Sequence, residues 1–306
     1  MDPNGKMVYT YGDIEDDIKS ETPQEDCFDD CYPKEDIERD KQRVRAYKAQ
    51  NDIVDSLEIP SSRIQEYATE QEIGEMDWFG EEKREEELFE DGKGQQTFSI
   101  LTSEFDDYMN HIDAICVMNN SKSGYKPLPF SLDITYNVDP EKLDKKMSWE
   151  HRAAKIPGFA TAKYFEDTFS CDSENKLKKG RIEIMPRFVI GYSPSLSEEI
   201  TSLRKMSNGA QSTRRDILSN RAKWCFLKEL SEQADQMLNY LEDHHNESDL
   251  LEKAFNDVKC LKEYFDGAIE VARAADEPNH EYENYVYKDE VAATILSKSI
   301  YGYLKN

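Results

Sequence analysis

Two short apolar segments, residues 112–119 and 130–138, each contain an aspartate where burying a carboxylate would be costly. They read IDAICVMN and FSLDITYNV, and their β-branched and aromatic content is typical of strands. The polar segment SKSGYKPLP between them predicts a turn, so the two strands should pair antiparallel. A carboxylate remains on a buried strand only if it is paired, hydrogen-bonded or bound to a metal. Asp113 and Asp133 are therefore the first candidate functional residues.

The region from residue 98 to 192 alternates between helix and strand signals. Ser103 predicts the cap of a short helix before the first strand, and DPEKLDKKMSWEHRAAK predicts a helix after the second. FATAKYF is ambiguous between strand and other structure, whereas RFVIGYS predicts a strand. The order of helix, hairpin, helix and strand is typical of an α/β fold.

The flanking regions differ from this core in charge and in periodicity. Residues 1–95 predict an acidic N-terminal arm, helical in part and flexible in part, with a surface helix over residues 33–57. Residues 211–306 predict a C-terminal helical bundle, because apolar residues recur at helical intervals. Its helices are expected over residues 212–245, from about 250 and over 289–304. The α/β core then occupies residues 96–210.

The charge is unevenly distributed along a chain whose net charge is −25. Residues 1–95 contain 29 acidic and 12 basic residues, whereas residues 142–228 contain 18 basic and 10 acidic residues. This cationic region suits phosphate contacts, although the same residues could equally balance the acidic arm. The arginines proposed as nucleic-acid contacts are Arg181, Arg187, Arg204, Arg214, Arg215 and Arg221.

Several classes of protein are disfavoured by what the sequence lacks. No run approaches the roughly 20 apolar residues of a membrane span, and the acidic N-terminus does not resemble a signal peptide, so we expect a cytoplasmic protein without membrane contact. The six scattered cysteines indicate reduced thiols. The sequence contains no glycine-rich phosphate loop, nucleophile elbow or HExxH motif, which argues against an NTPase, a serine hydrolase and a zincin.

Three acidic positions resemble the motif of the PD-(D/E)XK nuclease superfamily over about residues 98–192. They are Glu104 on the predicted helix, Asp113 at the start of one strand and Asp133 in the Asp-Ile-Thr segment of the next. The resemblance implies an αβββαβ core like that of restriction endonucleases. It also implies that the three residues bind one or two metal ions that activate water for phosphodiester cleavage in DNA or RNA. Oxygen ligands favour Mg²⁺ or Mn²⁺.

The chain departs from the superfamily at one position, where Thr135 replaces the expected lysine. Lys163, which we favour, or Lys146 could supply that lysine from a neighbouring element. If neither reaches the carboxylates, the domain binds nucleic acid without cutting it. The alternative is an inactive nuclease-like or scaffold protein whose arm recruits a protein partner. The sequence leaves open whether the chain is an enzyme, endo- or exonuclease, and which nucleic acid or oligomeric state it prefers.

Overall fold

A computed structural model describes residues 18–51, 67, 69, 96–119, 127–135, 141, 143, 156, 158–166, 179–193, 195–196, 212–275 and 288–297. These residues form a mixed α/β structure with a five-stranded curled sheet and a C-terminal helical region. Within the same residues, none of the helices has the length and apolar character needed to cross a lipid bilayer. Most of the helix predicted after the second strand lies outside the described residues.

The sheet has the strand order β1-β2-β3-β5-β4. Its strands are β1 (Gln96–Leu101), β2 (Ala114–Asn119), β3 (Leu128–Thr135), β4 (Phe159–Phe165) and β5 (Gly180–Gly191). The predicted β2–β3 hairpin is confirmed as antiparallel, β5 runs parallel to β3, and β4 runs antiparallel to β5. The strand predicted at RFVIGYS is also confirmed, and the ambiguous segment FATAKYF forms strand β4. Strand β1 was not predicted, because its six residues alternate too briefly to be distinguished from a loop.

Besides other helical residues such as 18–21, the described residues include five α-helices of seven residues or more. They are α1 (Lys34–Gln50), α2 (Glu104–Asn110), α3 (Ser212–His244), α4 (Asp249–Ala275) and α5 (Glu290–Ser297). The predicted cap of α2 is confirmed, because the Ser103 side chain accepts a hydrogen bond from the Asp106 amide at 3.2 Å. The long helices predicted in the C-terminal region are confirmed as α3 and α4.

The main hydrophobic core lies between one face of the sheet and helices α3 and α4. Phe130 of β3, Phe188 of β5 and Phe265 of α4 meet there edge to face, with ring centroids 5.5–5.7 Å apart. Phe130, Leu132 and Ile134 belong to this core. Since side chains alternate along a strand, Asp133 lies on the opposite face of the sheet.

The described part of the N-terminal arm packs against α2 and the sheet. Phe28, Ile37 and Val44 of the arm are buried in one cluster with Phe105 of α2 and Tyr164 of β4. Residues 28–44 therefore belong to the folded body and cover the end of the sheet where β4 is the outermost strand.

Candidate functional site

The two predicted strand aspartates lie together at one end of the β2–β3 hairpin. Ala114 pairs with Leu132 in the antiparallel register, and this places Asp113, one residue earlier, opposite Asp133. The Asp113 amide donates to the Leu132 carbonyl at 2.9 Å. The hairpin therefore brings both aspartates to the same end of the two strands. Both residues are buried.

Asp133 forms a buried ion pair with Arg187 of β5. In the parallel register, Asp133 pairs with Val189 of β5. Arg187 lies two positions before Val189, so the side chains of Arg187 and Asp133 project from the same face of the sheet. The side chains are only 4% and 5% exposed, and the guanidinium Nη2 donates to Asp133 Oδ2. Arg187 Nε also donates to the His111 carbonyl at 3.5 Å. Arg187 thus lies inside the sheet face rather than on the surface where a phosphate contact was predicted.

Asp113 has a different partner, the backbone of β3. Its Oδ2 accepts a hydrogen bond from the Ile134 amide at 2.6 Å. Strand β2 begins at Ala114, which pairs with Leu132, so β2 has no residue that pairs with Ile134. The carboxylate of Asp113 therefore continues the hydrogen bonding of β3 where the neighbouring strand has not yet begun.

Glu104, the third predicted ligand, is turned toward the N-terminal arm. It is the first residue of α2, and its Oε1 accepts a hydrogen bond from Lys48 Nζ of α1 at 2.8 Å. Its side chain is 54% exposed, unlike those of the two aspartates. Across the described ranges, no three His, Cys, Asp or Glu side chains converge closely enough to hold a metal ion.

Lys163, the favoured catalytic lysine, also contacts the arm. Its Nζ forms an ion pair with Asp40 of α1, whose side chain is buried. The same Nζ lies over three aromatic rings, 4.8 Å from Tyr32, 5.1 Å from Tyr164 and 5.6 Å from Phe105. Burial raises the pKa of Tyr32 to about 12, so its hydroxyl is neutral and donates to the Lys163 carbonyl at 2.9 Å. The ammonium group is thus enclosed by the arm, α2 and its own strand.

The remaining predicted contacts have less structural detail. Arg181 is half exposed and forms an ion pair with Glu183 at 3.4 Å. Lys146 and Arg204 lie outside the described residues. The backbone of α3 includes three further predicted contacts, Arg214, Arg215 and Arg221.

One buried carboxylate, Asp106, was not predicted and accepts four hydrogen bonds. Oδ1 accepts from the Lys163 amide at 2.8 Å and from Asn110 Nδ2 at 2.6 Å. Oδ2 accepts from the Tyr164 amide at 2.8 Å and from Ser103 Oγ at 3.2 Å. Burial raises the pKa of Asp106, and these donors oppose the rise.

Asp106 joins α2 to β4 at a local irregularity of the sheet. The pairing of β4 with β5 shifts register between Ala162 and Phe165. Within this shift, the successive amides of Lys163 and Tyr164 both donate to the Asp106 carboxylate. The spacing Ser103-x-x-Asp106 is that of a capping box, with aspartate where glutamate is usual. That spacing was the sequence signal that could have identified Asp106 as part of the helix start.

Buried acidic and amide side chains recur as acceptors for backbone amides at the ends of strands and helices. Besides Asp106 and Asp113, Glu25 accepts from the Phe105 amide at 3.1 Å. On the other side of the molecule, Gln233 and Glu229 of α3 accept from the amides of Val189 and Gly191 at 2.9 and 3.1 Å. These groups satisfy backbone donors that would otherwise be buried without a partner.

No family model, no curated protein and no solved structure matches this chain.

Proposed function

We propose that the protein is a non-catalytic interaction protein, in which the α/β core is a scaffold and the helical regions recruit a protein partner. The observation that carries this proposal is the buried ion pair between Asp133 and Arg187. This ion pair supports a structural role for Asp133, the residue that a metal site would need most. Asp113, bonded to the Ile134 amide, has a structural role of the same kind.

The energetics of the ion pair favour a structural role. A metal ion at Asp133 would compete with Arg187 for the same oxygen, Oδ2. Displacing the guanidinium would leave a buried positive charge without its partner, and breaking a buried pair in this way costs about 3–5 kcal/mol. Metal binding would have to offset that loss.

The charges of the molecule favour a protein partner over nucleic acid. Lys163 is neutralised by Asp40, and Lys48 by Glu104. The net charge of −25 repels a phosphate backbone and attracts a partner with a basic surface. We therefore expect binding that weakens as salt concentration rises.

A second candidate is a metal-dependent nuclease with a restriction-endonuclease-like core, favoured by the position of Asp113 opposite Asp133. In this candidate Mg²⁺ or Mn²⁺ would be held by these two residues with Glu104 completing the site, and Lys163 or Lys146 would stabilise the reacting phosphate. Both Lys163 and Glu104 would first have to separate from α1, since their present partners are Asp40 and Lys48. DNA or RNA would be the substrate.

Cleavage and thermal unfolding of the full chain, measured with Mg²⁺, Mn²⁺ or EDTA, distinguish the two candidates. Single- and double-stranded DNA and RNA serve as substrates. For a scaffold protein we expect no metal-dependent cleavage and the same unfolding temperature in all three conditions. A nuclease would cut in a metal-dependent manner, and the metal would raise the unfolding temperature. Both effects would be lost in Asp113→Asn and retained in the exposed control Asp243→Asn.

The stability of Asp133→Asn tests the structural role of the ion pair directly. We expect a loss of about 3–5 kcal/mol in the free energy of unfolding, because the buried Arg187 would lose the charge of Asp133. The double variant Asp133→Leu/Arg187→Met should recover most of that loss, since it removes both charges. Urea unfolding measures both. A loss no larger than that of Asp243→Asn would remove the main support for the scaffold proposal.

A further inference from the structure

On the side of β5 that faces β4, side chains accept hydrogen bonds from the backbone amides that lie beyond the end of β4. Strand β4 pairs with β5 only as far as Pro186. Beyond that point, the amides of Val189, Gly191 and Ser193 donate to Gln233, Glu229 and Asp289 respectively. Alternate residues of a strand direct their amides to the same side, so helices α3 and α5 here take the place of a neighbouring strand.

Two of these acceptors are carboxylates, and they differ in how many donors they receive. Asp289 accepts from the Ser193 amide with both oxygens at 2.9 Å, and its Oδ1 also accepts from the amides of Val291 and Ala292 at 3.1 Å. Glu229 accepts from the Gly191 amide alone, through Oε2 at 3.1 Å. Hydrogen bonds from backbone amides stabilise the ionised form of a carboxyl group, and Glu229 has a single such donor among the described residues.

Glu229 also has an oxygen that none of the described residues hydrogen-bonds. The residue is fully buried, and within the described ranges its Oε1 has no hydrogen-bond partner. The same is true of the hydroxyl of Tyr192, which is equally buried. Among the described residues, the titratable groups that face Glu229 and Tyr192 are Asp289, which precedes α5, and Cys225 of α3, and neither supplies a positive charge.

We infer that Glu229 is protonated in the folded protein at neutral pH, and that loss of this proton weakens the docking of α3 on β5. An ionised Glu229 would be a buried charge beside a second carboxylate, with a single donor, which is strongly unfavourable. The neutral acid keeps Oε2 as the acceptor for Gly191 and requires no counter-charge.

The electrostatics of the site agree with this geometry. Burial raises the pKa of Glu229 well above its ordinary value, and the charge of Asp289 adds to the rise. A carboxyl group whose pKa is higher in the folded than in the unfolded chain stabilises the fold fully below the unfolded pKa. That contribution is lost as pH rises from the unfolded pKa toward the folded pKa. The protein should therefore lose stability with rising pH on account of Glu229.

The experiment compares urea unfolding of the full chain with that of Glu229→Gln from pH 5 to pH 9. Glutamine matches the neutral acid in shape and cannot ionise. The quantity to compare is the unfolding equilibrium constant of the wild type divided by that of the variant. We expect this ratio to rise by up to about tenfold per pH unit until the pH reaches the pKa of Glu229 in the folded protein. The exposed control Glu263→Gln on α4 should show a ratio that does not change over this range.

Two outcomes would overturn the inference. One is a ratio for Glu229→Gln that stays constant with pH, which means that Glu229 binds no extra proton on folding. The other is a Glu229→Gln variant that fails to fold even at pH 5, because a neutral side chain of the same shape should replace a neutral acid without loss of structure.

Discussion

The N-terminal arm and the C-terminal helices both cover the sheet where its backbone would otherwise be exposed, but they do so in different environments. On the β4 side, ion pairs and aromatic rings connect α1 to β4 and α2, and several of these pairs are partly exposed. On the β5 side, the acceptors Gln233 and Glu229 are buried beneath the largest hydrophobic cluster.

This difference indicates how each contact should respond to solution conditions. Partly exposed charge pairs contribute little free energy and are screened by salt. Buried acceptors of backbone amides are insensitive to salt, but removing one leaves a donor without a partner in a dry interior. The arm is thus held in part by ion pairs that salt can weaken, in addition to its buried apolar cluster, whereas the C-terminal helices are held by contacts that depend on packing and protonation.

Among the changes that test this comparison, Asp106→Asn should have the largest effect, because it disrupts the β4 side at a fully buried acceptor. In asparagine, an NH₂ group replaces one of the two carboxylate oxygens. Since an NH₂ group donates and cannot accept, either the Lys163 or the Tyr164 amide loses its acceptor. We expect a loss of about 2–4 kcal/mol in the free energy of unfolding, measured with urea. The exposed change Asp243→Asn is the control. Equal stabilities of the two variants would contradict a structural role for the Asp106 carboxylate.

Gly191→Ala tests the closeness of packing on the β5 side and should have an intermediate effect. A Cβ atom at this position would lie 2.6 Å from Val291 Cγ1 and from Ile295 Cδ1, and 3.0 Å from the Thr135 carbonyl. Helix α5 would have to move away from β5, at a cost of about 1–3 kcal/mol.

Gly267→Ala on α4 is the matched control, because nothing lies within 4 Å of its added Cβ. This change should stabilise the protein by about 0.5–1 kcal/mol, since alanine is the better helix former. Urea unfolding measures both variants. If Gly191→Ala were as well tolerated as Gly267→Ala, the close docking of α5 on β5 would be refuted.

The smallest effect concerns the Lys48–Glu104 pair on the β4 side. A double-mutant cycle with Lys48→Met and Glu104→Gln should give a coupling of about 0.2–1 kcal/mol at low salt, because Glu104 is half exposed. The coupling should fall toward zero near about 1 M NaCl, where charges are screened within a few ångströms. A coupling that did not change with salt would place this pair in the same class as the buried contacts of the β5 side.

Sequence reasoning was most successful where the relevant signal was local. The β2–β3 hairpin, with Asp113 opposite Asp133, followed from two apolar runs and the turn between them. The Ser103 cap of α2 and the two long C-terminal helices likewise followed from residues close together in the chain. The burial of Arg187 could not be predicted, because its composition and neighbours fit a surface cation equally well.

Short-range patterns by themselves determined most of the strands and helices of this protein and brought two acidic residues to one end of a hairpin, because periodicity and capping act over a few positions. Only the tertiary structure decided which partner each buried charge received. Asp133 and Arg187 are 54 residues apart, and Lys163 and Asp40 are 123 apart. Such pairs form because a charge removed from water must find a counter-charge or a donor wherever the fold supplies one.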